Sequence, residues 1–194
     1  MPDARLVLFT RYPEPGKAKT RLIPALGEAG AADVHRQLAE RTVAAIRASG
    51  LAIEIRYTGA EATRFADWLG ADLSLIEQGD GDLGDRLQAA IAEPPVIFVG
   101  ADCPDLTADL LREAAAALVE HDVVIGPAED GGYWLIGISA RHDWLFTDMS
   151  WGTEAVLPET LRRLAEHDIE PELLPILADC DRPEDLARWP WLTA

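Results

Sequence analysis

The only two lysines of the chain, Lys17 and Lys19, stand two positions apart in the stretch RYPEPGKAKTRL, with Arg11 and Arg21 on either side and Glu14 as the one acid among them. Two prolines and a glycine fix the backbone of residues 11–22, so these cations project from a pre-shaped turn. A lysine ammonium meets phosphate as a point charge and an arginine as a two-pronged fork. Arg11, Lys17, Lys19 and Arg21 are therefore candidate phosphate ligands, against the plainer reading of a solvated basic loop. The stretch is not a P-loop of the GxxxxGK[ST] kind. Arg11 stands where the first glycine belongs, and Ala18 where the magnesium-binding hydroxyl does.

Carboxylates supply the second kind of chemistry. Asp102, in GADCPDL, follows the most apolar run of the chain, residues 96–100. A carboxylate there emerges where a buried strand meets a ligand crevice, although it could equally cap the helix that Thr107 opens. Asp181, in DCDRPEDL, is either an N-cap or a second carboxylate for the same site. Mg2+ takes one or two carboxylates with phosphate oxygens and water, so Asp102 and Asp181 are the candidate metal ligands. Cys103 and Cys180, each next to one of these aspartates, read as small packing residues. They are far apart and in no CxxC arrangement, so neither a disulfide framework nor a zinc ribbon is expected.

Three further loops are rich in glycine. GDGDLG (residues 79–84) satisfies GxGxxG, but the dinucleotide fingerprint belongs to the first strand–helix turn and this is the third. Asp80, Asp82 and Asp85 would also crowd a pyrophosphate. A loop shaping a nucleotide pocket, or a plain turn, fits better. In GPAEDGGYWLIG, Asp130 precedes Gly131 and Gly132, which would let backbone approach a ligand. Tyr133 and Trp151 (of SWGT) could form apolar walls for a substrate. The four histidines show no ligand spacing and no Ser/His/Asp arrangement, and no role is assigned to them.

The elements that must position these loops alternate regularly. Strand patterns occupy residues 6–10, 51–58, 73–77, 96–100, 123–126, 133–138 and 173–177. Helical spacing covers residues 31–48, 62–69, 83–92, 107–120 and 153–166, and Pro183 opens a last short helix. Such alternation means an α/β layered fold with a largely parallel sheet. Ligands of such sheets bind beyond the carboxyl ends of the strands. The 194 residues read as a single domain, 1–194, with no repeat or linker. A net charge of −17 argues against nucleic-acid partners and anionic membranes. No segment reaches the roughly 18 apolar residues needed to span a bilayer. With so short an apolar run at the N-terminus, a cytoplasmic protein with reduced thiols is expected.

In this order, RYPEPGKAKTRL, QGDGDLGDRL, GADCPDL, GPAEDGGYWLIG, SWGT and DCDRPEDL resemble a bacterial glycosyltransferase-like family. It is often described as radical-SAM/selenodomain-associated transferases, and some members are labelled arsenosugar biosynthesis glycosyltransferases. The resemblance runs over about residues 6–186. It implies the nucleotide-diphospho-sugar transferase superfamily and its GT-A-type, Rossmann-like layered fold, with a mostly parallel mixed central sheet and helices on both faces. It further implies that Lys17, Lys19 and Arg21 lie in the phosphate-binding loop. Asp102 and Asp181 would bind Mg2+ or Mn2+, and the loop carrying Gln78, Gly81, Asp82 and Gly84 would lie near base or ribose. The expected activity is metal-dependent transfer from a nucleotide-sugar donor to a small-molecule acceptor. Lys17 and Arg21 would neutralise charge in the transition state, and Asp130 would orient or deprotonate an acceptor held by Gly131, Gly132, Tyr133 and Trp151. Nucleotidyl transfer to a small phosphorylated acceptor and a non-catalytic nucleotide-binding module are the alternatives. The family usually reads Asp-x-Asp-Thr-Pro in the last motif; here Arg182 replaces the threonine.

Overall fold

A computed structural model describes residues 4–194. β1 (Arg5–Arg11) leads through the basic loop into α1 (Ile23–Ser49), and β2 (Ala52–Thr58), α2 (Ala62–Leu69), β3 (Ser74–Glu77) and α3 (Leu83–Ala90) follow. Next come β4 (Val96–Val99), α4 (Ala108–Ala117), the pair β5 (Val123–Pro127) and β6 (Tyr133–Ile138), α5 (Val156–Glu166) and β7 (Glu172–Leu173). The sheet has seven strands in the order β3-β2-β1-β4-β6-β5-β7. Only β6 runs against its neighbours, β4 and β5; the other paired strands are parallel. The mixed, mostly parallel sheet expected above is the one observed.

Alternation along the strands divides the core. Leu6, Leu8, Ile55, Ile97 and Val99 face α1, α2 and α4, where Val43, Ile46, Phe65 and Leu111 meet them. Val7, Val96, Phe98 and Ile136 face the other way, onto Leu87 of α3 and Leu164 of α5. β4 is buried on both faces, which is why it reads as an unbroken apolar run. A third cluster joins Leu22, Val34 and Leu38 to Ala178, Cys180 and Trp189. It clamps the C-terminal segment onto the first half of α1.

Two elements differ from the pattern reading. α1 begins at Ile23 rather than near residue 31, because Pro24 suits a first helical turn. Gly27 then leaves helical geometry (φ 71, ψ 172) and kinks it. The late strand shrinks to Glu172–Leu173, with an isolated bridge between Ala128 and Leu177. Pro175, lacking an N–H, interrupts the ladder between them. β1 is the pivot of the topology. Its neighbour β2 continues the sheet in one direction and β4 in the other, so the loops after β1 and β4 part and leave a crevice.

Candidate active site

The crevice is where the chain's lysines and its candidate metal carboxylates meet. Lys19 Nζ, from the loop after β1, lies 2.6 Å from Asp102 Oδ1, from the loop after β4. It also lies 3.3 Å from Asp181 Oδ1 of the C-terminal segment. Arg21 pairs with the second oxygen of Asp181. The Lys19 side chain is 5% exposed, while Asp102 is half exposed. Burial alone would lower the Lys19 pKa, but the Asp102 and Asp181 carboxylates outweigh it and raise the ammonium above an ordinary lysine. Crowding by protein atoms would likewise raise Asp102, and the Lys19 ammonium outweighs it and holds that carboxyl below the usual range. Both groups are charged at neutral pH.

Local structure explains how three distant segments converge. Neither aspartate serves as a helix cap. Thr107 caps α4, its hydroxyl accepting from the Leu110 amide at 3.3 Å. Asp185 accepts from the Asp181 and Arg182 amides at 2.9 and 2.7 Å. The Cys180 amide donates to the Asp102 carbonyl at 2.9 Å, tying the two carboxylate-bearing loops together. Cys180 is fully buried against α1. In extended chain its neighbours point the opposite way, which turns Asp179 and Asp181 to the crevice. Burial pushes the Cys180 thiol up to about 11 and raises Cys103 as well, so neither offers a thiolate.

Three adjoining cavities, of about 380, 460 and 250 Å³, make up the cleft, and Arg21 and Asp181 line all of them. The first is basic: Arg11, Lys17 and Lys19 line it. Arg11 donates to the Lys17 carbonyl at 2.8 Å and braces the loop, and Lys17, ion-paired with Glu14, is exposed. The second contains Asp130, Asp179 and Arg182. The third is bounded by Asp102, Asp130, Gly132, Tyr133 and Trp151. Asp130 accepts from the Gly132 amide at 2.9 Å. Gly131 has φ +88, and a Cβ there would lie 2.6 Å from Glu154 Cα. Only glycine lets the loop before β6 close on the loop before α5. Tyr133 and Trp151 meet edge to face with centroids 6.4 Å apart. A smaller apolar hollow, about 110 Å³, continues from there to Phe9, Leu83 and Phe98.

The glycine-rich loop before α3 is built for packing. Asp82 and Asp85 form a reciprocal capping box, with bonds of 3.0 and 3.1 Å. A Cβ on Gly84 would fall 2.2 Å from the Phe146 carbonyl oxygen, and Asp85 lies against Gly81. The Gln78 amide donates to the Thr10 and Arg56 carbonyls at 3.1 and 3.0 Å, and its oxygen accepts from Arg86 at 3.1 Å. Gln78 thus fastens β3 to β1 and β2 with its side-chain groups engaged inside the protein.

Asp179 and His35 also belong to the cleft, although neither was among the residues singled out. Asp179 lines the same cavities as Asp130 and Asp181; burial, then Asp130 and Asp181, raise its pKa. The Asp-x-Asp spacing was its signal. His35 lies behind Lys19, its Nε2 3.0 Å from the Arg11 carbonyl. Burial lowers its pKa despite that bond; because a carbonyl can only accept, Nε2 carries the proton and donates it. With no ligand spacing around it in the sequence, no role was assigned to it.

A crystal structure of a provisionally assigned nucleotide-diphospho-sugar transferase from Desulfovibrio desulfuricans G20 superposes with a TM-score of 0.88 at 30% identity, covering 94% of this chain and 84% of that one. The fold and that likeness place the chain in the nucleotide-diphospho-sugar transferase superfamily. The chain belongs to the family described as an uncharacterized protein conserved in bacteria (DUF2064), whose model matches residues 41–153. In fold it also resembles the inositol-1-phosphate CTP transferase of T. maritima (TM-score 0.64, 10% identity, 100% of this chain and 96% of that). Rv0371c from Mycobacterium tuberculosis H37Rv, crystallised with manganese, is a further fold relative (TM-score 0.55, 16% identity, 95% of this chain and 96% of that). No curated protein matches the chain in sequence. Among the described residues, no helix is long and apolar enough to cross a membrane.

Proposed function

We propose that the chain is a divalent-metal-dependent transferase that takes a nucleotide-sugar donor and passes the sugar to a small-molecule acceptor. The observation carrying this reading is the convergence of Lys19, Asp102 and Asp181 at the sheet's switch point, between a basic cavity and one walled by Tyr133 and Trp151. In donor type the site suits Mg2+ or Mn2+. Asp102 and Asp181 offer hard oxygens, the flanking thiols are buried and protonated, and phosphate oxygens and water would complete the coordination. When bound, the ion would neutralise charge on the departing phosphate oxygens.

The chain's own residues would do the rest. Lys17 and Arg21 would grip the phosphates and stabilise their growing charge, with Arg11 bracing the loop. Asp130 would orient the acceptor hydroxyl or take its proton, and Tyr133 and Trp151 would exclude water from its apolar side. Nucleotidyl transfer uses the same apparatus and is the second reading. It is favoured by the basic first loop and by the likeness in fold to a CTP transferase. Incubation with Mn2+ and a panel of nucleotide sugars and nucleoside triphosphates tests both. Release of nucleoside diphosphate from a nucleotide sugar supports glycosyl transfer, and pyrophosphate from a triphosphate supports nucleotidyl transfer. Neither product, with any donor and acceptor extract, counts against a transferase.

A further inference from the structure

The cleft already holds a cation between its two candidate metal ligands. Lys19 Nζ sits 2.6 Å from Asp102 and 3.3 Å from Asp181, and Arg21 engages the remaining oxygen of Asp181. Two carboxylates thus face two fixed positive charges. The placement is built into the backbone. Lys19 adopts a left-handed conformation (φ 47, ψ 47) that a residue with a Cβ enters only at a cost, and its side chain is 5% exposed. Among the described residues, no group of three or more His, Cys, Asp or Glu side chains converges to hold a metal ion.

A divalent ion arriving alone meets carboxylates already engaged, two neighbouring positive charges and too few protein ligands. A phosphate-bearing ligand changes each of these conditions. Its oxygens accept from the Lys19 ammonium and the Arg21 guanidinium, which frees the carboxylates, and other oxygens of the same ligand complete the metal's shell.

We propose that Lys19 gates the metal position, so that a divalent ion enters only together with a phosphate-bearing ligand that draws the Lys19 ammonium off Asp102 and Asp181. The phosphate ligand rests on the transferase reading, but the gate is read without turnover. Equilibrium dialysis of Mn2+ against the full chain, with and without pyrophosphate, measures it directly. Wild-type protein should retain Mn2+ only in the presence of pyrophosphate. Lys19→Met keeps the length and burial of the side chain and removes the charge. It should bind Mn2+ alone at least about tenfold more tightly than wild type, since the cation shared by both carboxylates is gone and only Arg21 still competes, and Mn2+ should raise its melting temperature. Adding Asp102→Asn to that variant should abolish both effects. Wild-type protein that holds Mn2+ alone as tightly as with pyrophosphate, or that fails to retain it with pyrophosphate, overturns the gate. So does a folded Lys19→Met that gains nothing. If Lys19→Met does not fold, the two wild-type measurements decide. Tight binding of Mn2+ alone with normal nucleotide turnover would remove the gate and leave the transferase; an intact gate with no turnover would do the reverse.

Discussion

An ammonium shared by two carboxylates fixes the centre of the cleft, and the residues around it divide into those that hold the protein together and those that stand free. Lys17 is of the second kind. It is 62% exposed and, among the described residues, paired only with Glu14, so Lys17→Ala should change stability by less than about 0.5 kcal/mol. Calorimetric nucleotide affinity should still fall about tenfold, the scale of one charge-assisted contact; unchanged affinity would remove Lys17 from the phosphate loop. Lys19 is of the first kind, since its loss leaves two carboxylates facing each other. The residue scale was also the most legible in sequence where a position was unusual. Paired lysines in a chain poor in them, and an aspartate ending an apolar run, stood out. Gln78, Asp82 and Gly84 show the limit. Their motif signalled a ligand loop, yet their side chains and close contacts serve capping and packing, and only distant partners such as the Phe146 carbonyl show it.

Elements position these residues through a few close approaches. Cys180 is fully buried in the cluster that joins α1 to the C-terminal segment, and its amide holds the Asp102 loop. Cys180→Ser would bury a hydroxyl in that cluster and should cost about 1–3 kcal/mol in urea denaturation. Because Asp181 is its neighbour, Mn2+-dependent nucleotide binding should weaken as well. A variant that loses stability without losing binding would separate the clamp from the site. Gly131→Ala would demand a side chain at φ +88, 2.6 Å from Glu154 Cα. A loss of about 1–3 kcal/mol is expected, and with it the fit between the loops that bear Asp130 and Trp151. Strand and helix alternation was legible because each element has a regular period. The late strand and the start of α1 were less so. There Pro175 and Gly27 act on the backbone, against the apolar pattern.

At the scale of the molecule, a net charge of −17 covers a surface that repels polyanions, while the strand order gathers the exceptional cations at one point. Neither the order β3-β2-β1-β4-β6-β5-β7 nor the reversal of β6 is written in any one element. They follow from which faces must be covered, and they bring the loop after β1 to the loop after β4. The sequence pattern disclosed the loops that carry charge; their meeting depends on contacts between residues some 80 to 160 positions apart. Under the proposed function, this meeting point binds nucleotide through metal. Isothermal titration of nucleoside diphosphates, triphosphates and nucleotide sugars, in Mn2+ and again in excess chelator, measures it for wild type and Asp102→Asn. At least one nucleotide should bind wild type in Mn2+, and should bind about tenfold or more weakly in chelator and to the variant. Binding that is indifferent to both the chelator and the substitution, or no binding of any nucleotide, would contradict the proposed function.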